Sequence, residues 1–166
     1  VQTPQRNARS ALSSSITMFV PMELSRVLIL DTSSEQFITL TEKGGVRSFA
    51  IKIGVSEAMA IERRLRGDQA PRPQTHDLLD SVIRLLGGEL LKIVVHRLEN
   101  GTYFASLLIE QRGELIEVDA RPSDAIALAI ARRLPIDVAE EVLAEASELR
   151  TEIEPPIEAG EDDDDD

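Results

Sequence analysis

Asn100-Gly101 lies between two runs rich in apolar and β-branched residues, 90–98 and 102–110. A two-residue hairpin turn needs positive φ at both central positions, and Asn followed by Gly meets that need best. The pair therefore predicts a tight antiparallel hairpin. Gln111-Arg112-Gly113 predicts a second turn into a strand at 114–119, which makes a meander of three strands. Upstream, 24–30, 36–40 and 47–53 read as three more strands, the last two joined by a turn at 41–45. In the third, Phe49, Ile51 and Ile53 fall on one face and Ser48 and Lys52 on the other.

Helical periods separate these groups. Residues 55–66 predict a helix with Val55, Ala58, Met59 and Leu65 along its apolar stripe and Arg63, Arg64 and Arg66 facing outward. Thr75 is expected to cap a second helix with a broad apolar face of Leu78, Leu79, Val82, Ile83 and Leu86, ended by Gly87-Gly88. Ser123 is expected to cap a third. Its Ala125, Ile126, Leu128, Ala129 and Ile130 leave almost no polar side, which places it in the interior. A short extended piece at 135–138 precedes a last helix at about 139–149. Strands clustered in this way predict an α+β fold with mainly antiparallel sheet, built from two three-stranded meanders with helices packed against it.

Residues 1–21 read as a disordered leader, 22–149 as the domain and 150–166 as an acidic disordered tail. The leader carries Arg6 and Arg9 and no acid, loosely like a transit peptide. The reading adopted is an extended start upstream of Met18 or Met22 and a cytoplasmic protein. Formal net charge is −12, yet from Glu140 onward there are 13 acidic residues against one basic. The remaining 139 residues carry 17 of each sign, so the body is neutral. Neutrality neither bars a phosphate site nor supplies a basic patch. Absence of cysteine excludes disulfides, thiolate zinc sites and a cysteine nucleophile. No apolar run has the length to span a bilayer as a helix. Neither a Walker lysine, a dinucleotide fingerprint, a Gly-x-Ser-x-Gly elbow nor interleaved aromatic and basic residues are present.

Two segments carry more chemistry than their helix starts require. Arg72-Pro73-Gln74-Thr75-His76-Asp77 and Arg121-Pro122-Ser123-Asp124 each set an arginine before a proline, then a hydroxyl, then an aspartate in the first helical turn. Helix-start chemistry accounts for Thr75, Asp77 and Ser123, and in part for Asp124. Arg72, His76 and Arg121 lie beyond it. One reading is a structural ion-pair network that holds Asp124, even at a dimer interface; the other is a functional site. Glu57, in the first turn after Gly54, is a third contributor, while His96 within a strand reads as structural. With two histidines and no cysteine, a metal would need Glu57, Asp77 or Asp124, which suits Mg²⁺ or Mn²⁺ rather than Zn²⁺.

Ile53-Gly54 with Glu57-Ala58, the run from Arg72 to Leu79, and Val118-Asp119-Ala120-Arg121-Pro122-Ser123-Asp124-Ala125 together resemble the bifunctional nuclease domain family, from about Met22 to Val142. The resemblance implies a folded-over antiparallel sheet and, as for the plant members that name the family, activity on RNA and DNA. The shared polar residues fall on Glu57, Arg72, His76, Asp77, Arg121 and Asp124. Ala50 and Lys52 depart from the proline and tryptophan common around the Ile-Gly turn, which bears on the mouth of the site or its packing. On this basis the chain is expected to be a nuclease and a homo-oligomer, most simply a dimer. Arg72 and Arg121 would clamp phosphate and His76 would act as acid or base, oriented by Asp77. Asp124 and Glu57 would place a water or a cation. The alternative is a non-enzymatic module that uses the same cluster to bind an anion or a partner.

Overall fold

The computed structural model describes residues 17–30 and 34–153, with side chains to residue 148. The parts of the expected leader and tail beyond those limits lie outside the described residues. The elements run β1 (Phe19–Leu28), β2 (Gln36–Glu42), β3 (Ser48–Ile53), α1 (Val55–Arg66), α2 (Thr75–Leu85), β4 (Gly88–Glu99), β5 (Thr102–Gln111), β6 (Glu114–Ala120), α3 (Pro122–Arg132), β7 (Ile136–Ala139) and α4 (Glu140–Ile153). The strands form one sheet in the order β3-β2-β1-β7-β4-β5-β6. Every neighbouring pair is antiparallel except β4 with β7. The fold class is α+β, as the strand clustering implied.

Turn chemistry sets the register of the long strands. Asn100 and Gly101 have φ of 51° and 74°, and Arg112 and Gly113 have 55° and 79°. Both pairs adopt the left-handed values of a two-residue hairpin, closing Glu99 onto Thr102 and Gln111 onto Glu114. β3 alternates as its sequence requires, with Phe49, Ile51 and Ile53 buried and Ala50 and Lys52 exposed.

The short piece after Pro135 is a strand at the joint of the sheet. β7 pairs with β1 on one side, Phe19 facing Ala139, and with β4 on the other, Ile93 facing Ile136. β1 accordingly begins at Phe19, five residues before the start expected at Leu24. The residues before Leu24 read as the end of the polar leader because no apolar period marks them. The strand tolerates Pro21 opposite Asp137, and its carbonyl accepts from the Lys43 N–H at 2.9 Å. The sheet is also strongly curved. β3 and β5 stand five steps apart in strand order, about 24 Å on a flat sheet at ~4.8 Å per strand. Nevertheless the rings of Phe49 and Tyr103 stack with centroids 5.3 Å apart.

Helix burial divides sharply. α3 is buried from Ala125 to Ala129, and its Ile126 and Leu128 each contribute about 1.5–3 kcal/mol by leaving water. On α1 the buried residues are Ala58 and Ile61; Val55, Met59 and Leu65 of the expected stripe are exposed. α2 corrects the sequence reading most. It has no buried residue, and Leu78, Leu79, Val82 and Leu86 are exposed. Its N-cap is Gln74, with Thr75 the first helical residue.

Polar ties hold α2 in place. Asp77 accepts from Arg64 Nη2 at 2.7 Å and Arg63 Nη2 at 3.0 Å, both on α1. Asp80 accepts from Arg132 of α3 at 2.9 Å, and His76 contacts Asp124 of α3. The Arg64 side chain is only 4% exposed, so its charge depends on Asp77. Asp77→Ala should destabilise the protein by roughly 2–3 kcal/mol. That lies below the ~3–5 kcal/mol of a fully buried pair because the carboxylate is partly solvated. Urea denaturation should show the loss, and hydrogen exchange should show α2 opening before α3. An unshifted midpoint would mean that something other than this clamp fixes α2.

Candidate functional site

Three helix starts converge, and each carries its acid at the third helical position: Glu57 on α1, Asp77 on α2 and Asp124 on α3. A carboxylate there meets the free N–H groups and the positive end of the helix dipole. α3 opens with Arg121 as its N-cap in extended conformation and Pro122 at the first position, where the missing N–H costs nothing. Ser123, expected as the cap, is therefore the second helical residue and is buried. Asp124 follows on the exposed side of the same turn.

Arg121 binds two of the three carboxylates. Its Nε donates to Asp124 Oδ2 at 2.9 Å and its Nη2 to Asp124 Oδ1 at 3.3 Å. Nη2 also pairs with Glu57 Oε1 at 2.9 Å, which ties α3 to α1. Nη1 enters none of these bonds, and the side chain is 66% exposed. Gly54 makes room for this arrangement. A Cβ at that position would stand 2.4 Å from Glu57 Oε2, so any larger residue would displace the carboxylate.

Asp124 also meets His76, whose Nε2 lies 2.9 Å from Oδ1. Burial works to raise the Asp124 pKa, but hydrogen bonds from Arg121 and His76, with their charges, outweigh it and hold the carboxyl below its usual range. The carboxylate is thus ionised and can only accept. Nε2 must donate to it, which leaves the Nδ1 lone pair available in the neutral ring.

Glu57, His76, Arg121 and Asp124 therefore form one connected cluster. Asp77 and Arg72 do not join it. Asp77, expected to orient His76, is turned toward α1 because successive helical residues differ by about 100° in direction. Besides Arg63 and Arg64 it accepts from the Gln74 N–H at 2.9 Å. Burial opposes ionisation of Asp77, but these partners keep its pKa below the usual value. Arg72 is exposed in the loop before α2 and makes no hydrogen bond or ion pair with another described residue. The two arginines are not joined in one clamp. Arg63 and Arg64, read as outward-facing, are the residues the sequence misjudged. Consecutive arginines late in a helix give no sign that both will be covered. Arg66 does face solvent.

Mg²⁺ or Mn²⁺, the ions that a carboxylate site here would suit, do not fit this donor set. Arg121 occupies both carboxylates of the cluster, Asp77 is committed elsewhere, and no group of three or more His, Cys, Asp or Glu is poised for a metal among the described residues. No step is assigned to a metal here. Beside the cluster lies a cavity of about 850 Å³, between β3, the β4–β5 turn and the start of α3, with Arg121 on its wall. Ala50 and Lys52, the two departures noted above, also line it. Among the described residues no helix is long and apolar enough to cross a membrane.

The Asp124 pKa is depressed, so the stability it confers is complete above the unfolded value of about 3.9 and is lost as pH falls through the lower folded value. Asp124→Asn should therefore flatten the acid limb of the melting temperature below about pH 4. Calorimetry across that range measures it. An acid limb identical to that of the parent would show that the carboxylate has no folded-state partners.

A family model for the bifunctional nuclease domain matches residues 38–150, a span that holds the whole cluster. Two uncharacterized proteins, one in each of two strains of Mycobacterium tuberculosis, are each 40% identical to this chain over 116 residues, covering 70% of it and 69% of their own length. By this match and by the cluster it encloses, the chain belongs to the bifunctional nuclease domain family.

Proposed function

We propose that the chain is a nuclease that hydrolyses phosphodiester bonds of RNA or DNA at the His76–Asp124–Arg121–Glu57 cluster. The observation that carries the reading is the Asp124–His76 contact, because it sets the imidazole in the tautomer a general base requires. His76 Nδ1 takes the proton of an attacking water as the water oxygen bonds to phosphorus. The bond from phosphorus to the leaving oxygen then breaks, and solvent returns a proton to that oxygen. Asp124 stabilises the imidazolium so formed. Arg121, with Nη1 outside its carboxylate bonds, meets a phosphate oxygen, and Glu57 holds it in position. Arg72, unpaired among the described residues and four positions before His76, adds a second cation to the phosphate backbone. Asp77 is a positioning residue that anchors α2.

One observation favours a second reading. Arg121 is matched by two carboxylates, and the body of the chain has no excess of positive charge, so polyanion binding gains little from long-range attraction. A binding module without turnover answers to the same geometry. The exposed leucines of α2 support a homodimer under either reading.

The test is cleavage of end-labelled single-stranded RNA and DNA by purified protein, with and without EDTA, beside His76→Ala and Asp124→Asn prepared identically. Both substitutions should lower the rate by about 10²–10⁴-fold, the usual worth of a positioned base, with little change in fold by circular dichroism. Equal rates in parent and variants would remove the mechanism. Saturable binding without cleavage would select the module.

A further inference from the structure

The cavity beside the cluster is built for more than phosphate. Its wall is largely apolar, with Ile51 and Ile53 of β3, Leu98 of β4 and Ala146 of α4. A volume of about 850 Å³ falls within the range of small-molecule pockets. Two hydroxyls on side chains less exposed than Ser34 and Thr102 of the same lining stand on this wall without hydrogen-bond partners among the described residues. Ser123 is 6% exposed and its hydroxyl makes no hydrogen bond with another described residue, although it lines the cavity at the start of α3. The Tyr103 hydroxyl is likewise unbonded. Burial, then the nearby Glu145 charge, pushes its pKa up to about 12, so it remains a phenol able to donate. A side chain as buried as Ser123 normally has a partner for its hydroxyl, and its open bond, with the half-buried Tyr103 hydroxyl on the same wall, marks the place of a ligand's polar edge. Arg121 belongs both to this wall and to the carboxylate cluster.

We infer that the cavity seats the base of one nucleotide whose phosphate lies on Arg121 and the first turn of α3. A flat ring buried among Ile51, Ile53 and Leu98, with Ser123 and Tyr103 at its edge, meets the chemistry of the wall. The phosphate meets a helix N-terminus and a guanidinium. A seated base must have left its stack, so the substrate class is an unpaired nucleotide, free or within a single strand, and duplex is disfavoured. This rests on the reading of the cluster as a phosphodiester-cleaving centre and adds what that centre selects.

The chain has one tyrosine and no tryptophan, so tyrosine emission reports on this wall alone. The full-length protein is titrated with adenosine 5′-monophosphate, adenosine and inorganic phosphate by calorimetry and emission. Ala50→Phe fills the cavity from an exposed position, and Ser123→Ala removes one hydroxyl and keeps the packing; thermal melts confirm that both fold. Adenosine monophosphate should bind at least about tenfold tighter than phosphate and alter tyrosine emission saturably. Ala50→Phe should weaken it by about tenfold and leave phosphate binding unchanged. Ser123→Ala should weaken it less. Equal affinity for the nucleotide and phosphate, no binding of the nucleotide, or no response to Ala50→Phe each overturns the base site.

Cleavage assays separate this inference from the reading beneath it. Single strands should be cut faster than duplex of the same sequence, adenosine monophosphate should compete, and Ala50→Phe should raise KM more than it lowers kcat. Cleavage that needs His76 but ignores both the nucleotide and Ala50→Phe removes the cavity and keeps the nuclease. Nucleotide binding as described, with no cleavage of any strand, keeps the cavity and removes the nuclease. Competition without a preference for single strands assigns the cavity to free nucleotides.

Discussion

The bridge from Glu57 through Arg121 to Asp124 joins the starts of α1 and α3, and His76 completes it from α2. As a source of stability this bridge is poor. A guanidinium two-thirds exposed pairs with carboxylates for about 0–1 kcal/mol, because water screens it in both states. The Arg64–Asp77 pair is its opposite: one partner is almost fully buried, and breaking it strands a charge. Two ion-pair systems that share helices α1 and α2 thus have different work. The covered one fixes where α2 sits. The open one holds a mostly exposed cation against part-buried carboxylates and a largely covered imidazole, and the cation itself adds little to the fold. Groups positioned without much return in stability are the ones to assign to chemistry.

The cavity depends on a different constraint, the curvature of the sheet. β7 is four residues long, yet it bonds to β1 on one side and β4 on the other, which makes a single sheet of two groups of strands. Right-handed twist accumulated over seven strands brings β3 round to β5, and the Phe49–Tyr103 stack marks where they meet. Without that closure Ile51 and Leu98 would not share a wall, and Arg121 would border open solvent alone.

Local rules made most of the fold legible. Asn100-Gly101 and Gly113 foretold their hairpins because these residue types take positive φ readily, and Arg112 follows at 55° because the turn demands it. α1 occupies the bounds its period implied, and α3 is buried as its uniform apolarity required. The failures were tertiary. The extended piece after Pro135 was legible as such, but its pairing with both β1 and β4 was not, and the first half of β1 is a strand because it pairs with that piece. α2 has the strongest amphipathic pattern, but it meets the protein through Asp77, Asp80, His76 and Ile83 while Leu78, Leu79 and Val82 stay exposed. Periodicity reveals that a helix has two faces and is silent on which face has a partner.

The candidate site was legible to the same depth. Glu57, His76, Arg121 and Asp124 were identified as types of chemistry, and four of the six residues named are in contact. Their connections were not readable, because they depend on the azimuth of each side chain around its helix. Helix-start chemistry was set against function as a rival account of these acids, and the geometry makes the two one. Asp124 at the third position is held ionised by Arg121 and His76, and the positive end of its own helix favours the same charged form. Asp124 then accepts from Arg121 and His76 with no proton of its own to lose. The local rule that stabilises the helix start thereby favours the fixed acceptor that the proposed general base needs, and the second position of the neighbouring helix places His76 against it. A chain that brings such helix starts together needs only an arginine before the proline to join them.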